Sequence, residues 1–470
     1  MTRRRALVWA ATSTRLVVGA GIAAAIVIVV GVGVAAPWPT HEQAPAAVRV
    51  TPTPADTVLA CAGPLLSLGR DATQAGGLTA AASAAVVSAS DGSDLASAPL
   101  DASPAVSGSE GAPALIAPPD GDRRSDAAAG ASAAVEAEDL RGFSAAACRP
   151  PLIESWLVGG ATTTGSADLV LLANPSDVAA TVDLTLYGAT GFTTPPGGAG
   201  LRVDAHSQRI VPLAGLGIGE EAPIVRVTAS GAPVAATLQS SITRTLLPGG
   251  VDQTGAIVAA EPALVIPGVQ VLQSAVDAAS SGSTTQLRVV SPGSPSTLTV
   301  TILDAEGTEV LRQEAPLEAD LPTGVDLPGL PVGQYTVLVA AESPVAAAVW
   351  QTTGLGEGSD FAWYTPAPEI GVPTLVAVPA GPAPVLVLAG NASGGTASVT
   401  LEPVSGTGTA VDATVTAGGA SVVPVVAGTV YRLTSDEPVR AAVSYAAAGA
   451  LGTFPVWPAD AAAAELTVHP

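Results

Sequence analysis

The chain has 470 residues, 48% hydrophobic but only 3% aromatic, enough apolar material for several cores if Ala, Val and Leu fill them. Its formal net charge is −22, with arginine as the only strongly basic residue type; such a surface repels phosphate backbones and argues against nucleic-acid binding. Two cysteines and three histidines leave little material for a metal or redox centre.

Residues 1–15 contain Arg3, Arg4, Arg5 and Arg15 and no acid. Leu16–Ala36 follows as 21 uncharged, mostly apolar residues, long enough to cross a hydrocarbon layer of ~30 Å as a helix. The positive-inside rule then leaves residues 1–15 in the cytoplasm and the C-terminal bulk extracellular, on a single-pass anchor in the cell membrane. The lipid bilayer is thus an expected partner through residues 16–36. A cleaved signal peptide is the alternative, because Val34 and Ala36 satisfy a loose small-residue site, although Pro37 would follow that cut directly. Both readings export the protein.

Residues 37–60, rich in Pro, Thr and Ala, suit a semi-rigid spacer. Cys61 and Cys148 bracket an Ala/Ser/Gly-rich segment, residues 61–148, with few bulky side chains. Such a stretch is expected to be loosely ordered, with a few strands around Leu65–Leu68 and Ala84–Val87. Outside a cytoplasm, exactly two cysteines are best explained by one disulfide, Cys61 to Cys148. A metal site needs more ligands, and no histidine lies near either cysteine in sequence.

One motif then appears three times: IVRVTASGAPVAATLQS at Ile224–Ser240, YTVLVAAESPVAAAVWQ at Tyr335–Gln351 and YRLTSDEPVRAAVSY at Tyr431–Tyr445. After Pro233, Pro344 and Pro438 the apolar positions are Val234/Ala236/Leu238, Val345/Ala347/Val349 and Val439/Ala441/Val443. This period of two is the signature of strands, and each copy reads as a hairpin. Upstream of each lies an apolar strand, a turn of Asn, Pro, Ser and Gly, and a strictly alternating strand. Those second strands set Val182/Leu184/Leu186, Leu298/Val300/Ile302 and Ala397/Val399/Leu401 against Thr, Asp, Ser and Glu on the other face. The three prolines are 111 and 94 positions apart, near the ~100 residues of an immunoglobulin-like sandwich. The predicted fold is therefore mainly β: an N-terminal transmembrane helix followed by three tandem immunoglobulin-like β-sandwiches over residues 149–264, 265–370 and 371–470. Proline-dense junctions at Ala259–Val269 and Thr365–Pro384 suggest stiff joints and an extended rod.

Catalytic or cofactor chemistry finds little support. His41, His206 and His469 are far apart in sequence, and His206 reads as a solvated residue. No HExxH, G-x-S-x-G or P-loop motif occurs; the glycines of LAGLGIGEE precede no helix pattern and read as a turn. Calcium at the joints would draw on Asp252 and Glu261, or on Glu357, Asp360 and Glu369, but without D-x-D spacing these read as solvated loop acids. No catalytic residue, metal or cofactor is expected. Trp156, Trp350, Trp363 and Trp457 are the candidates for a ligand platform; the repeated placement of Trp363 and Trp457 after their strands favours packing over an exposed stack.

The anchor, Cys-x-Gly-Pro-Leu-Leu at Cys61–Leu66, the TTTGSADLVLLANPSDVAATVDLTLYGATG block from Thr162 and the GAPVAATLQSS block from Gly231 together resemble an uncharacterised actinobacterial family of membrane-anchored secreted proteins with a domain of unknown function. The resemblance covers nearly the whole chain and implies no catalytic residues. It implies gene neighbourhoods with a membrane glycosyltransferase, hence work on the cell envelope. The leading expectation is a non-enzymatic envelope scaffold or spacer. The alternative is a glycan- or peptide-binding accessory to envelope polysaccharide assembly, which would show exposed Trp on a concave face.

Overall fold

The computed structural model describes residues 3–35, 48–50, 53–70, 76–92, 94–108, 111–272, 284–392, 394–459 and 466–468. These form two compact units. The smaller contains the helix Arg3–Ala35 and a short antiparallel pair, Val48–Val50 with Leu466–Val468. The helix includes a 20-residue stretch, Arg15–Val34, of mean hydropathy 2.7, long and apolar enough to cross a membrane. It is rich in Val and Ile, weak helix formers in water, and a helix bonds its amides internally, as a segment placed in lipid would have to. It stops two residues before Pro37, consistent with the restriction a proline places on its predecessor.

The larger unit is almost entirely strand. Its C-terminal part contains three sandwich-like pairs of antiparallel sheets, each closed over its own core. In the first, Ala180–Gly188 and Glu154–Val158 flank Ile224–Ser230, while Leu169–Asn174 and Leu247–Gly255 flank Ala235–Arg244 in the opposing sheet. Val170, Leu172, Val182, Leu184, Val234 and Leu238 meet between them. The predicted alternation is observed: Val182, Leu184 and Leu186 are buried and Thr181 and Asp183 exposed, with the same pattern along Ser296–Leu303 and Ala397–Ser405.

The repeated motif is not a hairpin. In all three copies the proline turn carries the chain from one sheet to the sheet facing it. Thr429–Ser435 pairs with Thr374–Val378 and Ala397–Ser405, whereas Val439–Ala447 pairs with Val385–Gly390 and Ala450–Pro455. In the middle copy one bent strand, Gly333–Thr352, pairs through its first half with Ser296–Leu303 and through its second with Thr285–Val290. A hairpin and such an arch both turn alternate residues toward one core, so the period of two cannot separate them.

The second arms of the arches are buried on both faces. Ala346 and Ala348, on the back of Val345, Ala347 and Val349, join a second apolar cluster with Trp156, Val158, Tyr187, Ile224, Ile257, Val290, Phe361 and Trp363. This cluster joins the first sheet pair to the second. Within the larger unit the pairs therefore pack side by side as one compact body rather than as the expected extended rod; alanine at these positions lets two sheets approach closely.

The described residues of the Cys-bounded segment are largely strand, against expectation. Besides Leu65–Leu68, as expected, and Ala85–Ser90, where a strand around Ala84–Val87 was expected, the segment contributes Leu78–Ala82, Ala96–Pro99, Pro113–Ala117, Ala127–Glu136 and Arg141–Ala147. Its scarce apolar residues do not have to build an independent core. Phe143 and Ala145 enter the core of the third pair, and the Gln239 side chain of the first pair bonds both the amide (2.9 Å) and the carbonyl (2.7 Å) of Leu66. Cys61 and Cys148 form the expected disulfide.

Candidate ligand cavity

Where the Cys-bounded segment, the start of the first sheet pair and the third pair meet, the larger unit contains a cavity of about 630 Å³. That volume suits a small-molecule or chain-end ligand. Its walls are mostly apolar: Ala127–Ala129 and Val58 on one side, Pro151, Leu152 and Pro233 on another, Leu375–Ala377 and Phe454–Pro458 on the third. The small side chains leave the room; the prolines, which lack N–H groups, leave few unsatisfied donors.

Polar groups break this lining: Thr57, Ser125 and Arg124, the last donating to the Thr57 hydroxyl (3.1 Å) and the Asp56 carbonyl (3.3 Å), and then Arg149, Trp457 and Asp126. Arg149 follows Cys148 directly and is fixed by an antiparallel bridge to Ala60, its backbone exchanging two bonds of 2.9 Å. Its residue exposure is 8%, and its guanidinium lies 3.4 Å over the ring centroid of Trp457, donating one hydrogen bond, to the Ala256 carbonyl at 3.2 Å. No carboxylate among the described residues pairs with it. Burial lowers its pKa well below the usual arginine value. The Trp457 indole N–H is itself buried with no acceptor among the described residues. Asp126, also in the lining, accepts from the Leu375 amide at 2.9 Å, and burial raises its carboxyl to about 6.

A smaller cavity of about 220 Å³ lies beside the junction of the first two pairs, lined by Asp168, Arg288, Trp350 and Trp363. Here Arg288 is nearly spent: it donates to the carbonyls of Gly160 (2.5 Å), Glu221 (3.1 Å) and Pro223 (3.3 Å) and stacks 4.7 Å from the Trp363 ring. Burial takes it down to about 10. Asp168 accepts from the Ala161 amide (2.5 Å) and the Ser241 amide (2.8 Å), and burial takes it up to about 6.

The four tryptophans do not form a shared platform. Trp156 and Trp363 are core residues at 3% and 4% exposure. Trp350 and Trp457 are half-buried, each on the wall of a different cavity. The similar placement of Trp363 and Trp457 does reflect equivalent positions, on or just after the strand beside the second arm of the arch. Sequence reasoning missed the arginines stacked on them. The available signal was a charge within the apolar run LRVV for Arg288, and a charge between Cys148 and Pro150 for Arg149.

It also misplaced two acids. Asp252 and Asp360, read as solvated loop residues, are buried at the junctions. Asp252 accepts from the Trp363 amide and the Thr254 hydroxyl, both at 2.8 Å. Asp360 accepts from the Phe143 amide (2.9 Å) and Leu451 amide (3.1 Å) on one oxygen and the Val251 amide (3.2 Å) on the other. Among the described residues no group of three or more His, Cys, Asp or Glu could hold a metal ion. Glu369 instead takes the Asn391 amide (3.0 Å) and lies 3.7 Å from Arg440, while His206 is exposed and contacts Asp177 at 2.7 Å; His41 and His469 lie outside the described residues.

These buried acids set a pH dependence. Burial raises Asp126 and Asp168 to about 6, Asp252 to about 7 and Asp360 well above the carboxylate range. A raised folded-state pKa means the folded unit holds more protons than the unfolded chain between about pH 4 and 7, so stability falls as pH rises through that window. The unfolding temperature should be several degrees higher at pH 5 than at pH 8, with Asp252→Asn flattening the slope. Calorimetry at matched ionic strength checks this; a flat or opposite profile contradicts it.

A model for a family of unknown function, DUF5719, matches residues 103–426, well over half of the sequence. The chain belongs to that family. No curated protein and no solved structure matches it. The matched region begins inside the Cys-bounded segment and runs through the first two sheet pairs into the third, so it includes Arg149 and Asp126 but stops short of Trp457.

Proposed function

We propose that this protein is a non-enzymatic, membrane-anchored binding component of the bacterial cell envelope, an accessory that receives a glycan or peptide chain during envelope assembly. In this reading the helix is a signal-anchor with a cytoplasmic N-terminus, and the β-rich unit, three immunoglobulin-like sandwiches braced by the Cys-bounded segment, lies outside. The flanking arginines and the oxidised cysteine pair are consistent with that placement.

The observation that carries the binding role is the cavity of about 630 Å³, mostly apolar in its walls, with the Arg149 guanidinium stacked on Trp457 and without a carboxylate partner among the described residues. Apolar concavity with a few placed polar groups is the usual form of a ligand site. A scaffolding role is a second reading, favoured by the way Asp360 ties separate elements into one block. The full chain in lipid nanodiscs should retain solubilised cell-wall glycopeptide in a saturable manner. Retention no greater than that of empty nanodiscs would leave the scaffold reading alone.

A further inference from the structure

We infer that the cavity holds the carboxylate end of its ligand against Arg149, with the ligand's body lying along the apolar walls. This rests on the binding role proposed above and specifies its chemistry.

The guanidinium is more than nine-tenths buried, carries its charge at neutral pH and has no carboxylate partner among the described residues. A buried cation without a counter-charge is strongly unfavourable, and stacking on Trp457 offsets only part of that. Among the described residues its one hydrogen bond goes to the Ala256 carbonyl, and none of them accepts from the rest of its five N–H donors. Because Trp457 covers one face of the plane, a ligand must meet the guanidinium at its edge. There two parallel N–H groups match the two oxygens of a carboxylate. The indole N–H of Trp457, the ring on which it stacks, is also buried without an acceptor among the described residues.

A phosphate would offer the same oxygens. Asp126 in the same lining, raised to about 6 and so mostly ionised at neutral pH, disfavours a dianion more than a monoanion, and this favours the carboxylate. The neighbouring apolar walls, Ala127, Leu152, Leu375 and Pro455 among them, offer the ligand body contact area, and the second guanidinium of the lining, Arg124, donates to the Thr57 hydroxyl and the Asp56 carbonyl.

The test uses the full chain in nanodiscs labelled with 5-fluorotryptophan, the Trp457 resonance being assigned through Trp457→Phe. Probes are glucuronate and acetyl-alanyl-alanine, representing a sugar acid and a peptide C-terminus, each with its neutral counterpart, glucose and the peptide amide, and inorganic phosphate. At least one acid should shift the Trp457 signal saturably, with its neutral counterpart at least ~10-fold weaker, a difference of about 1.4 kcal/mol. Arg149→Gln should weaken the same acid at least ~10-fold while far-ultraviolet circular dichroism stays unchanged. Which acid binds identifies the source. Should Arg149→Gln fail to fold, the acid-against-neutral comparison in the unaltered protein decides. Equal binding of acid and neutral probe, preference for phosphate, or no saturable shift overturns the inference. If glycopeptide is still retained in any of these cases, the binding role survives without it; if that too is lost, both fall.

Discussion

Replacing Asp360 with alanine is expected to destabilise the larger unit by about 3–5 kcal/mol, measured by urea unfolding of the purified protein. The carboxylate sits at the start of the strand Phe361–Tyr364 and accepts amides from three other places: Phe143 in the Cys-bounded segment, Val251 in the first sheet pair and Leu451 in the third. Alanine leaves three buried N–H groups without their acceptor, each worth about 1–3 kcal/mol; relief from burying an acid offsets part of the sum. Even the approach is built for it. Gly142 has φ +145°, and a β-carbon there would lie 2.5 Å from the Asp360 Oδ1 atom, so no other residue brings the Phe143 amide so close. A node predicts a second result: amide exchange at Phe143, Val251 and Leu451 accelerates together in Asp360→Ala. Loss under 1 kcal/mol, or faster exchange at one of the three alone, would show that Asp360 is a local contact.

That node marks the limit of what could be read from the chain. Alternation along Ala180–Gly188, Ser296–Leu303 and Ala397–Ser405 was legible because each has one dry and one wet face, and the sequence writes the two faces in different residues. The paired cysteines were legible by count alone. The arch geometry was not, because its arms line one core exactly as a hairpin's arms would line one face. Nor was the order of residues 61–148. Composition measures what a segment can bury by itself, and this segment buries Phe143 and Ala145 in a core made mostly by residues 370–456. The misreading of Asp360 has the same root: GLGEGSD reads as solvated loop, and only the arrival of three distant strands makes its acid a buried acceptor. Arg149 and Arg288 follow suit. Their partners are tryptophans 308 and 75 positions away, and no local pattern announces such a stack.

Removing the disulfide is expected to have the largest effect of any single change. Cys61 and Cys148 are 87 residues apart, and closing a loop of that length restricts the unfolded chain by about 4–5 kcal/mol in the chain-entropy model. The folded state gains from the bond as well. Both cysteines are buried with Leu59, Leu115, Ala129 and Ala131, the one apolar cluster among the described residues that is composed only of residues from this part of the chain. The double change Cys61→Ala, Cys148→Ala should therefore lower stability by roughly that amount and release the segment first. Limited proteolysis should cut within residues 76–140 while the three sheet pairs, which have their own cores, persist. Arg149 gives a local readout, since it adjoins Cys148 and is held by its bridge to Ala60, beside Cys61. Loosening there should separate the guanidinium from Trp457 and change the Trp457 resonance before global unfolding. Unchanged stability would mean that Phe143, Ala145 and the Leu66–Gln239 bonds suffice to hold the segment, and that the covalent link is dispensable to the fold.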